Sequence, residues 1–169
     1  MVRHENRSLS RRLLAVFCGG FCGTLVRYLL SIAISGWLGK GWPFDILLIN
    51  LSGALLLALI TTLADATFFI GPTRRLLLNT GFMGAYTTFS SLALGDVLLF
   101  GQGQILPALL YLLLSLAGGL CAVLLGNGLG QLLLRCFRRA DRAGLDASEH
   151  LDIQDDLLLV EQRDEIEAD

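Results

Sequence analysis

Charged residues are scarce in this chain: Asp, Glu, Lys and Arg together make up 17% of its 169 residues, whereas 54% are hydrophobic. A soluble domain of this length carries more charge and shorter apolar runs. Histidine is nearly absent too, since His4 and His150 both lie near the chain ends. The mean hydropathy of +0.64 predicts one integral membrane domain. Without an ATP-binding motif, a hydrolytic metal cluster or a nucleophile constellation, neither an enzyme nor a nucleic-acid partner is expected.

The four cysteines show no disulfide or zinc-binding pattern. Cys18 and Cys22 are four residues apart on one helix face, but no second cysteine pair or histidine is near enough in sequence to complete a metal site. Together with Cys121 and Cys136, they are interpreted as small buried hydrophobic residues. The N-terminal arginines and the apolar run after them resemble a signal peptide. Because that run contains Arg27 and no clean cleavage site follows it, a retained first helix is expected.

Long apolar segments are what the sequence has in abundance. A membrane-spanning helix needs about 20 mostly apolar residues. Four segments meet this requirement, with predicted bounds Leu13–Ile34, Phe44–Leu63, Leu76–Phe100 and Ile105–Leu134. The sequence therefore predicts an all-α membrane protein with four transmembrane helices in residues 13–135. They are preceded by a basic N-terminal arm in residues 1–12 and followed by an acidic segment in residues 136–169.

The distribution of charge predicts an orientation. One side of the predicted bundle carries ten arginines: Arg3, Arg7, Arg11, Arg12, Arg74, Arg75, Arg135, Arg138, Arg139 and Arg142. The opposite side carries only Lys40. Because basic loops stay in the cytoplasm, both termini are expected there, in a plasma (inner) membrane. Ten of the fifteen acidic residues lie between Asp146 and Asp169, so this segment is expected to be a disordered or partner-binding tail, or a short amphipathic helix.

The third segment contains an interruption, Gly81-Phe82-Met83-Gly84-Ala85-Tyr86-Thr87-Thr88-Phe89-Ser90-Ser91. It places two glycines and several hydroxyl groups in the middle of a span. Non-helical backbone at membrane depth persists only where it is buried in protein or lines a cavity. Unwound carbonyls there can bind cations. The sequence therefore predicts a broken third helix and places the functional site at the break.

Polar residues inside the spans have both structural and functional interpretations. Asn50 either forms an interhelical hydrogen bond or donates to an anion path, and Arg27 either reaches the far interface or faces an aqueous vestibule. Tyr111 and Ser115 share one helix face and are candidates for a polar track. A phenylalanine such as Phe89 is usually part of the hydrophobic core. Its position beside the break makes it a candidate for contacting a dehydrated anion with its positive ring edge.

These motifs resemble those of the Fluc (CrcB) family of small four-helix fluoride channels, over roughly Leu13 to Leu134. The matching motifs are Gly19-Gly20-x-x-Gly23-x-x-x-Arg27, Asn50-x-x-Gly53 and Gly81-Phe82-x-Gly84-x-x-Thr87-Thr88-Phe89-Ser90. The resemblance implies a double-barrelled dimer of antiparallel subunits with two fluoride pores. It also implies a buried structural Na⁺, not transported, held by backbone carbonyls of Gly84 and Thr87 from each subunit.

The resemblance also implies roles for individual side chains. Phe89 and Thr88 belong to the pore, Asn50 donates to fluoride, Tyr111 and Ser115 continue the polar track, and Arg27 corresponds to a vestibule arginine. The implied function is a fluoride-selective ion channel that lets fluoride leave the cytoplasm and so lowers its toxicity.

Three departures from the family pattern suggest an alternative. Leu92 replaces a second pore phenylalanine, Ile46 replaces a frequent threonine, and the charge bias exceeds that of a typical antiparallel homodimer. These departures suggest a heterodimer with a related chain, in which this subunit is pore-degenerate or regulatory. A coupled transporter is disfavoured because Asp45 and Asp65 lie near span ends; Asp96 is the one acidic residue within the third span.

Overall fold

The computed structural model describes residues 2–39, 41–66 and 71–168, and the side chains of residues 9–39, 41–66 and 71–139. Every regular element in these ranges is a helix. In chain order they are α1 (Val2–Leu38), α2 (Phe44–Ala66), α3 (Pro72–Arg75), a π-helix (Leu76–Met83), α4 (Gly84–Tyr86), α5 (Phe89–Gly101) and α6 (Ile105–Ala168). The elements from α3 to α5 form one span, Pro72–Gly101.

The apolar segments of the sequence become four membrane spans. The stretches Leu9–Leu38, Phe44–Ala66, Pro72–Gly101 and Ile105–Arg139 are long and apolar enough to cross a bilayer. Pro43 precedes α2, and Pro72 is at the start of α3, where its missing N–H has no helical partner to lose. The predicted all-α membrane protein with four transmembrane helices and a broken third helix is confirmed. The observed helices extend several residues beyond most of the predicted bounds.

The first span packs most extensively on the π-helix, and glycine allows this close approach. A Cβ atom on Gly81 would lie 2.7 Å from the carbonyl oxygen of Val16 and 3.0 Å from the Cα of Gly19. The backbones of α1 and the π-helix are therefore in direct contact. Small residues permit this packing in membranes, where apolar surface alone does not drive helices together.

Two buried clusters hold the segments around the break. One connects α2, α5 and α6 and consists of Leu47, Leu92, Leu99, Ala108 and Tyr111. The other connects α2 to the π-helix and α4 and consists of Ile49, Met83 and Tyr86. The chain is therefore anchored on both sides of the break, which fixes the extended residues between them.

The chain divides into two compact units, Met1–Gln131 and Leu132–Asp169. The second unit begins near the end of the fourth span and has a helical backbone up to Ala168. The acidic segment, for which the sequence predicts disorder or a short amphipathic helix, thus follows a helical path. Its side chains after residue 139 lie outside the described ranges, as do those of residues 1–8 in the basic arm.

The outer surface of the first unit is strongly apolar. Only 17 to 28% of the most hydrophobic window of each span is buried within the single chain. Cys18, Cys22 and Cys121 lie on this outer surface, and Cys136 is exposed in the second unit, so the expectation that the cysteines are buried inside the chain is wrong. In a bilayer this surface contacts lipid or another chain, an environment that suits cysteine as a small apolar residue.

Candidate functional site

The helical break in the third span lies at Thr87 and Thr88. Helix α4 ends at Tyr86, and the next two residues are extended, with φ/ψ of −81°/151° and −149°/116°. Gly84, in contrast, has helical dihedrals of −64° and −29°. The sequence associates the break with the glycines, but the structure places it three residues later. Gly81 instead serves the close contact with α1 described above.

Asn50 of α2 is bonded to the backbone at this break. Its Nδ2 donates to the carbonyl oxygen of Thr88 at 3.0 Å, and its Oδ1 accepts from the Thr88 N–H at 2.8 Å. One amide side chain thus satisfies both polar backbone groups of an extended residue at membrane depth, where unpaired groups are costly. The structural interpretation of Asn50 is therefore observed. Nδ2 has a second N–H, and the predicted donation to fluoride stays a prediction.

The same hydrogen bonds alter the pairing of two nearby carbonyls. In a continuous helix, the N–H groups of Thr88 and Ser91 would bond to the carbonyl oxygens of Gly84 and Thr87. Here the Thr88 N–H goes to Asn50, and the Ser91 N–H goes to Thr88 Oγ1 at 3.2 Å. The carbonyls of Gly84 and Thr87 thereby lose their usual donors. Gly84 is also exposed on the surface of the chain. These carbonyls are hard oxygen ligands, so the residues present fit an alkali cation such as Na⁺.

The segment before the break is held against α2. The hydroxyl groups of Tyr86 and Ser52 lie 2.9 Å apart, and Ser52 donates to the carbonyl oxygen of Ile49 at 3.0 Å. A Cβ on Gly53 would lie 3.0 Å from the Tyr86 ring and even closer to the Thr87 methyl group. Glycine at position 53 therefore lets α2 approach the break closely enough for Asn50 to reach Thr88.

Hydroxyl groups cluster where α5 begins. Thr88 is the N-cap of α5, and its Oγ1 lies 3.1 Å from Ser90 Oγ and 3.1 Å from Ser91 Oγ. Phe89, the first residue of α5, is 78% exposed in the single chain. An aromatic ring and three hydroxyl groups are thus presented together at the break. Sequence reasoning omitted Ser91 from the site, although its spacing from Thr88 is that of an N-cap and its N3 residue.

A cavity of about 430 Å³ lies beside this cluster and contains Arg27. Its lining residues, from α1, α2 and α5, are Phe21, Thr24, Leu25, Arg27, Tyr28, Ser31, Ile46 and Ser91. One guanidinium group and four hydroxyl groups face a partly apolar space, a donor-rich set that suits a small anion. Arg27 lines this cavity, and its assignment as a vestibule arginine stays a prediction. Ser31 is hydrogen-bonded to Asp45, which places a carboxylate near one side of the cavity.

Tyr111 and Ser115 lie one turn apart in α6, but they are buried inside the chain. Tyr111 is 0% and Ser115 8% exposed, and each hydroxyl oxygen is a buried atom without a hydrogen-bond partner among the described residues. The Tyr111 ring makes an edge contact with Trp42 at a centroid distance of 5.3 Å and packs in the same cluster as Leu92. Buried hydroxyls left unpaired are costly, so they are suited to a polar ligand.

The site residues therefore form two groups, one at the break and one buried on α6. Asn50, Thr88 and Phe89 meet at the break, and Ser91 connects this break to the Arg27 cavity. The second group is the buried pair on α6. Leu92 and Ile46, the two single-residue departures from the family pattern, pack in or against the cluster around Tyr111. Asp96 is partly buried, and its Oδ1 has no hydrogen-bond partner among the described side chains.

The fold and this site together define a class: small multi-pass helical membrane proteins with a hydroxyl-rich break in the third span beside an arginine-containing cavity. The profile of the family described as CrcB-like protein, Camphor Resistance (CrcB), matches residues 14–127. The chain belongs to this family.

Named relatives match the chain over a similar length. The chain is 41% identical over 122 residues to a fluoride-specific ion channel FluC of Chlorobaculum tepidum, covering 72% of this chain and 96% of that protein. It is 42% identical over 117 residues to a FluC of Synechocystis sp., covering 69% and 90%. It is 44% identical over 113 residues to a FluC 2 of Moorella thermoacetica, covering 67% and 91%.

Proposed function

We propose that this chain forms a fluoride-selective ion channel that lets fluoride leave the cytoplasm down its electrochemical gradient and so lowers its toxicity. The observation that carries the proposal is the match of the membrane domain, almost end to end, to proteins named fluoride-specific ion channels. The site supports it, because a guanidinium and several hydroxyl donors face one small cavity beside the break. A passive channel requires no catalytic residues, and we propose no enzymatic activity.

The proposed conduction path follows the donors of the site. Arg27 concentrates anions in the cavity through its field. Ser91 and Thr88 then offer hydroxyl groups, and Phe89 offers the positive edge of its ring to an anion that has lost water. The second N–H of Asn50 Nδ2 and the buried hydroxyls of Tyr111 and Ser115 are proposed as further donors along the polar track.

We propose that the functional unit is an antiparallel dimer. The exposure of Phe89 and Gly84 and the incomplete burial of every span support a second chain on this surface. Two carbonyls from each chain, those of Gly84 and Thr87, would together hold a structural Na⁺ at the crossing of the broken helices. The ion would neutralise the inward-facing carbonyl dipoles and fix the two chains together. We further propose an inner-membrane location with both termini in the cytoplasm, on the basis of the arginine distribution.

A second candidate is a pore-degenerate or regulatory subunit of a heterodimeric channel. It is favoured by Leu92, which is 8% exposed and packs beside Tyr111 where the family has a pore phenylalanine. It is also favoured by Ile46, an aliphatic side chain lining the Arg27 cavity. In this version an oppositely oriented related chain completes at least one pore.

A fluoride-efflux assay distinguishes the two candidates. The purified chain is reconstituted alone into fluoride-loaded liposomes, and release is measured with a fluoride electrode after a potassium ionophore is added. The channel proposal expects rapid fluoride release, little chloride release in a parallel chloride assay, and none from protein-free vesicles. If the chain alone releases no fluoride but does so after co-reconstitution with a related chain, the heterodimer is favoured. No fluoride release in either case would contradict both candidates.

A further inference from the structure

A second cavity lies at the arginine-rich end of the bundle, away from the break. It has a volume of about 480 Å³ and is formed by α1, α3 and the π-helix. Its lining residues are Arg12, Pro72, Arg75, Leu76, Asn79 and Thr80. None of these residues belongs to the proposed fluoride site. The volume lies within the range of small-molecule binding sites.

The cavity is positively charged. Arg12 and Arg75 come from different spans and both line it, while Asp65 of α2 forms an ion pair with Arg75. A guanidinium carries five N–H donors, so one ion pair leaves Arg75 with donors for another acceptor. Among the described side chains, two arginines line the cavity and one carboxylate pairs with them from outside the lining, which leaves a net positive charge of one.

The amide of Asn79 adds a directional polar group. Its Nδ2 donates to Thr61 Oγ1 at 2.9 Å, while its Oδ1 is buried and has no hydrogen-bond partner among the described residues. A threonine hydroxyl both donates and accepts, so the amide can turn over and direct its N–H groups toward a bound anion. Thr80 lines the same cavity and brings a further hydroxyl group.

We propose that this cavity binds the phosphoryl group of an anionic molecule, with Arg12 and Arg75 as charge partners and Asn79 and Thr80 as hydrogen-bond donors. Arginine forks match phosphate oxygens, and basic pockets between membrane helices take anionic headgroups. An anionic lipid is the expected source, because Leu13 and Leu14, immediately after Arg12, are 63% and 64% exposed and provide an apolar surface for its chains. Inorganic phosphate is the other source with the same chemistry.

Native mass spectrometry of the detergent-purified chain tests this site independently of conduction. The probes are phosphatidylglycerol, phosphatidylcholine as the neutral control, and inorganic phosphate as competitor. The test variant is R12Q/R75Q. The matched control is R135Q/R138Q, which removes the same charge from exposed positions of α6 that do not line the cavity. We expect roughly 25-fold weaker phosphatidylglycerol binding in the test variant, about fivefold for each arginine, and little change in the control.

The outcomes distinguish a lipid headgroup from soluble phosphate, and both from general attraction to a basic surface. Selective phosphatidylglycerol binding that only R12Q/R75Q weakens supports a lipid headgroup site. Phosphate binding with the same dependence, without lipid selectivity, supports the phosphoryl site and identifies a soluble source. Equal losses in the two double variants, or equal binding of phosphatidylcholine, would overturn the proposal, because they indicate general attraction to a basic surface. Because R75Q also frees Asp65, R12Q alone is measured and is expected to give about a fivefold loss.

Discussion

The carboxamide of Asn50 pairs with the N–H and the carbonyl of Thr88, forming two hydrogen bonds of 2.8 and 3.0 Å between a side chain of α2 and the broken third span. This pairing resembles one rung of a β-ladder, with an amide side chain in place of a neighbouring strand. It satisfies an extended residue at membrane depth and removes the donor that a continuous helix would direct to Gly84. Asn50 thus stabilises the break and leaves the Gly84 carbonyl oxygen without its usual helical donor.

Asn50→Asp should disrupt this pairing. The carboxylate keeps an acceptor for the Thr88 N–H but faces the Thr88 carbonyl with a second acceptor in place of a donor. We expect a loss of about 1–3 kcal/mol in the free energy of unfolding, from one unpaired buried group, and abolished fluoride efflux. Thermal unfolding in detergent and the liposome assay measure the two effects.

The matched control for that substitution is Gln102→Glu in the loop between the third and fourth spans. Gln102 is exposed, and its Oε1 accepts from Gln104 Nε2 at 3.1 Å, an interaction that a carboxylate preserves. The control should retain efflux and lose little stability. Wild-type efflux and unfolding temperature in Asn50→Asp would show that the break does not depend on the amide donor.

Thr88→Val should weaken the start of α5 by removing the N-cap acceptor of the Ser91 N–H, which lies 3.2 Å away. The expected cost is about 0.5–2 kcal/mol in unfolding free energy. Thr88→Ser restores the hydroxyl without the methyl group and should recover most of the stability in the same unfolding experiment. If the serine variant were as unstable as the valine variant, packing of the methyl group rather than capping would explain the role of Thr88.

Several features of the fold were accessible from the sequence because they depend on local composition. Apolar runs of about 20 residues predicted all four spans, since the bilayer sets their length. The glycine and hydroxyl pattern predicted that the third span is broken. The position of the break was not accessible in the same way. It lies at Thr87 and Thr88, where Asn50, distant in sequence, supplies the competing hydrogen bonds.

Long-range packing also explains the other differences. The exposure of Phe89 and the burial of Leu92, three residues later, depend on which face of α5 meets α2 and α6, and hydropathy alone does not specify that face. Ser91 and Ser31 become part of the Arg27 cavity only when α1 and α5 are brought together. The exposure of the cysteines was also not predicted, because in a membrane an apolar residue is stable on the outside of the chain as well as inside it.

Gly81→Ala should disturb the contact between α1 and the π-helix. The added Cβ would lie 2.7 Å from the Val16 carbonyl oxygen and 3.0 Å from the Gly19 Cα, and neither backbone atom can move independently of its helix. We expect destabilisation of about 1–3 kcal/mol by overpacking. Gly119→Ala is the matched control, because nothing lies within 4 Å of its added Cβ. Equal unfolding temperatures for the two variants would contradict close packing at Gly81.

Phe89→Ile should separate conduction from stability. Because Phe89 is 78% exposed in the chain, its replacement should change the unfolding free energy by no more than about 0.5 kcal/mol, apart from any change in assembly. Fluoride efflux should nevertheless fall sharply, since isoleucine has no positive ring edge. Phe137→Ile, at a residue 71% exposed on α6, is the control and should conduct like the wild type. Unchanged efflux in Phe89→Ile would remove this ring from the proposed path.

Leu92→Phe tests whether the departure at this position reflects a different packing or a lost pore residue. The side chain is 8% exposed and belongs to the cluster that includes Tyr111 and Leu47, so a phenyl ring has to displace close neighbours. We expect about 1–3 kcal/mol of destabilisation and no gain in efflux for the chain reconstituted alone. Leu94→Phe, on the same helix and 59% exposed, is the matched control and should be tolerated. A stable Leu92→Phe variant with faster efflux would instead indicate that leucine at this position impairs the pore, and it would favour the pore-degenerate subunit.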